Sequence, residues 1–206
     1  MKSKRNKTRV LNLGAGKIDL SRWVHYGLVI HVDRYFDPAT SATISEAHKY
    51  YLSSDRNAAH CCCKADLFEF VDNFQYKFDL VVADRIFEHM EYVSGEIGRL
   101  LEGINTLTNK DATLEIVIPN AILLAEMLIK YEKEYDSYNQ VDSLKTKLIV
   151  NSDLCNIKVD PHASVWTPRL ATEYIESEGT WLIDSIEDQY RFAGRDIYMK
   201  ITCKKP

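Results

Sequence analysis

No apolar run in this chain approaches the about 18 consecutive residues that a membrane-crossing helix needs, and the N-terminus has no apolar core of the kind a secretory leader carries. A membrane-spanning or exported protein is therefore not expected, and a cytoplasmic location is. An excess of basic charge is also missing: 26 Lys and Arg against 30 Asp and Glu leave a net charge of −4, which argues against a sequence-independent grip on nucleic acid. The basic cluster Lys2 to Lys7 reads as a solvated chain start. Cysteine is scarce in the places that would matter. Cys61, Cys62 and Cys63 sit in one strand-like block and Cys155 and Cys203 stand apart, so neither a disulfide framework nor a Cys-x-x-Cys metal spacing is present. No His or carboxylate spacing suits a zincin or a two-His-one-carboxylate centre either, and no metal is expected. Internal repeats and low-complexity tracts are absent, which leaves one domain over residues 1–206 as the expectation.

What is present is an ordinary globular composition, 46% apolar and 27% charged, organised around one stretch. Arg9-Val10-Leu11-Asn12-Leu13 is an apolar strand that breaks into Gly14-Ala15-Gly16, and a second apolar run, Leu28 to Val32, ends on Asp33. A strand, a Gly-x-Gly bend and a second strand ending on an acid are how α/β folds hold an adenosine-containing cofactor. Without a Cβ, Gly14 and Gly16 let a ligand approach the main chain. The Asp33 carboxylate can accept from both hydroxyls of a ribose. A third glycine is lacking, since Ile18 and Asp19 stand where a dinucleotide fingerprint requires it. That disfavours NAD or FAD relative to a cofactor without phosphate.

Further along, five apolar strand patterns alternate with helical ones, the signature of βαβ units and a parallel sheet. A short helix is expected after the glycine bend, with Trp23 on its inner face. A second helix carries Ile44, Ala47, His48 and Tyr51 at helical spacing. The third strand, Cys61 to Asp66, again ends on a carboxylate, placed to accept from an adenine amino group while the Leu67 backbone reads the ring edge. Arg34, Tyr35 and Phe36 follow Asp33, the aromatics positioned to cover a base or to be plain loop residues. Phe78 to Asp84 is a continuous apolar fourth strand of the kind covered on both faces. A helix is expected to follow Arg85–Met90 and run to about Leu107, with Val93, Ile97, Leu100, Leu101 and Ile104 as its buried stripe. Ala112 to Ile118 is the fifth strand, and Ala121 to Tyr138 reads as a helix. Thr167-Pro168 opens another that Gly179 stops, and two strands then form a hairpin around Gly194.

In this order the parts resemble the class I S-adenosylmethionine-dependent methyltransferases, nearest to the small methyltransferase-domain type. The residues that carry the likeness are Leu11 to Gly16, Val32-Asp33, Asp66, Phe78 to Val82, Glu88-His89 and Ile118 to Asn120. The resemblance implies a Rossmann-like, doubly wound α/β sheet of seven strands, mostly parallel with an antiparallel C-terminal strand. It implies S-adenosylmethionine as cofactor, with Asn12, Gly14, Ala15 and Gly16 along the methionine portion, Asp33 and Arg34 at the ribose, Asp66 and Leu67 at the adenine, and Asp84 nearby. The family more often has an acid where Asn12 stands, and its prolyl-glycyl-glycine turn is replaced here by Thr108 to Asp111.

Methyl transfer is a displacement on an already activated carbon, so a protein chiefly supplies alignment and dry surroundings and needs no dedicated constellation. Candidate bases are Asp84 at its strand end, Glu88, His89, and His162 in Asp160 to Trp166; Asp84 could instead cap a helix or pair with Arg85, Glu88-His89 could instead start a helix, and His162 could be a hydrogen-bonded loop residue. Residues 131–165 are expected to form a substrate lid, its tyrosines serving either core or acceptor. The expected acceptor is a small molecule, a sugar or a peptide-like group. A non-catalytic module that keeps this fold is the alternative, suggested by Asn12 and by the absence of an obvious base.

Overall fold

The computed structural model describes residues 8–16, 20–53, 59–134, 164, 166–192 and 195–206. Its centre is one seven-stranded sheet: β1 (Arg9–Leu13), β2 (Leu28–Val32), β3 (Ala59–Cys63), β4 (Phe78–Asp84), β5 (Thr108–Pro119), β6 (Leu182–Phe192) and β7 (Arg195–Lys204). Their order across the sheet is β3-β2-β1-β4-β5-β7-β6. The first five strands pair in parallel, and β7 runs antiparallel to both β5 and β6. The chain thus winds outward from β1 in one direction to β3, returns to β4 beside β1, and proceeds in the other. That reversal leaves a crevice at the carboxyl ends of β1 and β4, the place where open α/β sheets bind ligands.

Strand alternation sends side chains to two unequal cores. Leu11, Leu13, Ile30, Val32, Val81, Ala83, Leu114 and Ile116 belong to the larger one. Covering it are α1 (Ile44–Ser53) through Ala47 and Tyr51, α2 (Leu67–Asn73) through Phe70 and Val71, α3 (Glu96–Thr106) through Ile97, Leu100, Leu101 and Ile104, and α5 (Pro168–Ser177) through Ala171 and Ile175. Helix α4 (Ala121–Glu134) follows β5. On the opposite face a smaller cluster of Val10, Val29, Leu80 and Val82 lies under Trp23.

Several boundaries depart from the sequence expectation. A 3-10 turn, Leu20–Trp23, follows the glycine bend in place of a regular helix, though Trp23 is buried as expected. Strand β3 ends at Cys63, and Asp66 caps α2 rather than closing the strand. The helix expected to follow Arg85–Met90 starts late. The Arg85–Met90 segment holds a 3-10 turn, Phe87–His89, and α3 begins only after Gly95, whose φ of 75° breaks the helical path. Val93, assigned to the buried stripe, lies in that break and is 97% exposed. By contrast the α5 start is as expected: the Thr167 hydroxyl accepts from the Leu170 amide at 3.2 Å with Pro168 in the first turn, and Gly179 at φ 70° follows the helix. No helix of the described residues is long and apolar enough to cross a membrane. Most of the 131–165 segment lies outside them.

Candidate functional site

The glycine bend and the acid after β2 are joined directly. The Gly16 amide donates to Asp33 Oδ2 at 2.8 Å and the Tyr35 amide to Oδ1 at 2.8 Å, while the Ala15 amide donates to the Val32 carbonyl at 3.2 Å. Asp33, 7% exposed, therefore shapes the bend as well as facing the crevice. Each of its oxygens retains a second lone pair for a hydroxyl. Gly14 and Gly16 have φ of 60° and 49°, and they are glycine for different reasons. A Cβ on Gly14 would lie 2.6 Å from Ile86 Cγ1, so packing forbids it. A Cβ on Gly16 would meet nothing nearer than the Gly14 carbonyl at 4.0 Å, so at that position only the backbone conformation demands glycine.

A cavity of about 360 Å³ opens at these strand ends, within the range of small-molecule sites. Gly14, Asp33, Arg34, Asp66, Leu67 and His89 line it, six residues singled out from the sequence, together with Tyr35, Phe68, Arg85, Ile86, Met90 and Glu96. Asp66 has a double task. Its Oδ1 accepts from the Phe68 and Glu69 amides at 2.9 and 3.5 Å, fixing the start of α2, and the residue borders the cavity. Tyr35 is 68% exposed, with the Arg34 guanidinium over its ring at 4.8 Å. Asn12, Ala15, Gly16 and Asp84 do not line the cavity.

Asp84 is engaged elsewhere. Its Oδ2 takes a 2.5 Å ion pair from Arg22, on the 3-10 turn that follows the glycine bend, and not from Arg85. This half-buried bridge ties that turn to the end of β4. Arg85 itself adopts φ of 55°, the left-handed region, which costs a non-glycine residue about 1–2 kcal/mol. Its amide donates to the Val117 carbonyl at 2.7 Å, so the chain turns sharply off β4 and brings Ile86 against Gly14.

Beneath the bend lies a polar row that the sequence reading missed. The parallel register sets Asn12 opposite His31, and Asn12 Nδ2 lies 3.0 Å from His31 Nδ1, whose Nε2 lies 3.3 Å from His60 Nδ1. Trp23 packs edge-on against His31 at 5.5 Å. Burial, with the nearby His60 adding to it, pushes the His31 pKa down to about 4, so the ring is neutral near pH 7. The signal was available: a histidine inside the apolar run Leu28 to Val32 must find a partner if the strand is buried, and pairing the starts of the two strands, Arg9 with Leu28, puts Asn12 beside it. Asn12 Oδ1 and Asp84 Oδ1 are buried, with no hydrogen-bond partner among the described residues.

Behind the cavity, Glu88 is 1% exposed. Its carbonyl accepts from the Ser164 amide at 3.0 Å, the Ser164 hydroxyl donates to the Phe87 carbonyl at 3.0 Å, and the Trp166 indole donates to that hydroxyl at 2.8 Å. These contacts anchor the chain entering α5 against the segment after β4. His162 lies outside the described residues. No group of three or more His, Cys, Asp or Glu among the described residues could hold a metal ion.

No protein-family model matches the sequence, and no curated protein does. Solved structures do match. The N-methyltransferase NodS from Bradyrhizobium japonicum aligns with a TM-score of 0.53 at 11% identity, over 99% of this chain and 89% of that one. A Burkholderia thailandensis 1,6-didemethyltoxoflavin-N1-methyltransferase, solved with 1,6-didemethyltoxoflavin and S-adenosylhomocysteine, aligns with a TM-score of 0.57 at 14% identity, over 97% and 72%. The pyocyanin biosynthetic protein PhzM aligns with a TM-score of 0.56 at 10% identity, over 100% of this chain and 52% of its own length, so this chain spans about half of PhzM. The shared architecture is the class I methyltransferase fold, α/β and seven-stranded, as the resemblance implied.

Proposed function

We propose that this chain, folded as a class I methyltransferase, binds S-adenosylmethionine across the carboxyl ends of β1 to β4 and transfers its methyl group to a small acceptor. One observation carries the reading: Gly14, Asp33, Arg34, Asp66 and Leu67, from three separate segments, border one cavity of about 360 Å³. The residues fit the cofactor chemically. Asp33 offers its remaining lone pairs to a ribose, Asp66 with the Leu67 backbone suits an adenine edge, and the open bend at Gly16 suits close approach of an amino-acid tail. Two buried acceptors that lack partners among the described residues, Asn12 Oδ1 and Asp84 Oδ1, belong to the ends of adjacent strands β1 and β4, where an ammonium group would satisfy them.

When bound, the cofactor supplies a methyl group on positively charged sulfur. The chain's own residues then have three tasks: to hold the two reactants in line, to exclude water, and to hold a proton where the acceptor must lose one. Ile86 and Met90 give the cavity wall its apolar part, and His89 is the ring on that wall able to take a proton. Through its ion pair with Arg22, Asp84 keeps the turn after the glycine bend against β4, a positioning role. The acceptor we favour is a small molecule, a sugar or a peptide-like group. A net charge of −4 speaks against nucleic acid, and the Burkholderia enzyme's bound 1,6-didemethyltoxoflavin is a small-molecule precedent.

The Arg22–Asp84 pair also favours a second reading, a binding module that keeps the fold without the chemistry, because the acid at the end of β4 is already neutralised. Calorimetric titration of S-adenosylhomocysteine separates the two. The methyltransferase reading expects micromolar affinity, weakened at least about 100-fold in Asp33→Ala, since the Gly16 and Tyr35 amides and two ribose hydroxyls lose one acceptor. Absence of heat at millimolar ligand in the unaltered protein favours the module.

A further inference from the structure

A carboxylate in place of Asn12 would offer an oxygen whichever way it turned. The Asn12 amide has two unlike ends, an acceptor on one branch and two N–H donors on the other, and only the oxygen can receive an ammonium group. The rotation of this buried amide therefore decides whether it attracts or repels a cationic ligand, and the register of the sheet shows what sets it.

Alternation along the parallel strands puts Asn12, His31 and His60 on the face that carries Val10, Val29, Leu80 and Val82. Asn12 Nδ2 lies 3.0 Å from His31 Nδ1. The ring nitrogen therefore accepts, which leaves the proton of the neutral ring on Nε2, to be donated to His60 Nδ1 at 3.3 Å. Trp23 meets the His31 ring edge-on, at 5.5 Å and 81°, and fixes its plane. Asn12 and His31 are both buried, and His60 is the half-buried end of the row. Strand β1 lies between β2 and β4. With its nitrogen committed to β2, the amide keeps its oxygen on the side away from β2. That oxygen has no partner among the described residues, and neither has Asp84 Oδ1 at the end of β4.

We infer that His31, backed by His60, is a positioning residue for the amino-acid tail of the cofactor: it takes the Asn12 amide by its nitrogen and so presents the Asn12 oxygen to the ammonium group. This rests on the methyltransferase reading and deepens it, because the histidine row then orients an uncharged side chain where a carboxylate would need no orienting.

The test compares two ligands of the full chain by calorimetry, S-adenosylhomocysteine and methylthioadenosine. They share the nucleoside and the thioether, and only the first carries the ammonium group. His31→Phe keeps a ring against Trp23 and removes both nitrogens. In this variant S-adenosylhomocysteine affinity falls at least about tenfold, as for loss of a hydrogen bond to a charged group, while methylthioadenosine affinity changes less than about threefold. In Asn12→Asp, whose two oxygens are equivalent, adding His31→Phe no longer separates the two ligands. Nitrogen NMR spectra of the unaltered protein, which require no variant to fold, place the proton of the neutral His31 ring on Nε2. Equal losses for both ligands in His31→Phe, no loss for either, the same separation of the ligands in the Asn12→Asp background, or a proton on Nδ1 in the unaltered protein overturns the inference. Failure of the unaltered protein to bind S-adenosylhomocysteine overturns the cofactor reading instead.

Discussion

At the scale of single residues, two positions couple stability to the site. Gly14 is held by Ile86, so Gly14→Ala must both adopt a left-handed φ and push aside a side chain 2.6 Å from the new Cβ. We expect a loss of about 2–4 kcal/mol by chemical denaturation, the sum of the conformational and overpacking costs. Because the obstruction is Ile86 itself, the Gly14→Ala and Ile86→Ala losses combine to less than their sum, a coupling that a double-mutant cycle measures. The second position is His31, fully buried and with its pKa lowered to about 4. Its neutral form is the one the fold accepts, so the unfolded chain binds the proton more tightly. Stability is therefore undiminished above about pH 6.5 and falls as pH drops toward 4, by about 3 kcal/mol from this ring alone. Denaturation between pH 4 and 7 checks the slope, which flattens in His31→Gln. A histidine inside the apolar run Leu28 to Val32 signalled the second of these, but nothing in local sequence signalled the first. The Gly-x-Gly bend and Asp33 were legible as a ligand feature, but that Ile86 presses on Gly14 depends on the left-handed turn at Arg85, and no local pattern announces an arginine there.

At the scale of elements, Asp66 shows how a cap and a site can share one residue. Removing its side chain in Asp66→Ala leaves the first amides of α2 without an acceptor and costs about 1 kcal/mol of stability. Serine caps nearly as well but carries no charge, so Asp66→Ser keeps the melting temperature and still weakens S-adenosylhomocysteine binding. If the carboxylate only caps the helix, the serine variant binds as the unaltered protein does. Element types read from periodicity and punctuation were mostly right where the pattern was long and the stop signal strong, as at Thr167-Pro168 and Gly179. They failed between Met90 and Gly95. There an apolar spacing that suits a helix is interrupted by a left-handed glycine, and Val93 ends in solvent. The continuous run around Asp66 misled in the opposite way, since strand and helix cap both accept an aspartate.

At the scale of the molecule, the order of strands decides what the residues mean. Asn12, Asp33, Asp66 and Asp84 are far apart in sequence, and each follows or ends a parallel strand, so the winding from β1 to β3 and back to β4 delivers them to one edge of the sheet. Alternating strand and helix signals made that edge predictable. Which acids face the cavity was not predictable, because Arg22 crosses from the turn after the glycine bend to take Asp84, a contact between residues 62 positions apart. The most direct check of the whole account is difference density in a crystal of this protein soaked with S-adenosylhomocysteine. The account predicts the adenine beside Asp66 and Leu67, the ribose hydroxyls on Asp33, and the amino-acid tail over Gly14 to Gly16. Density elsewhere, or none along that edge while Asp33 bonds only to its own backbone, would contradict it.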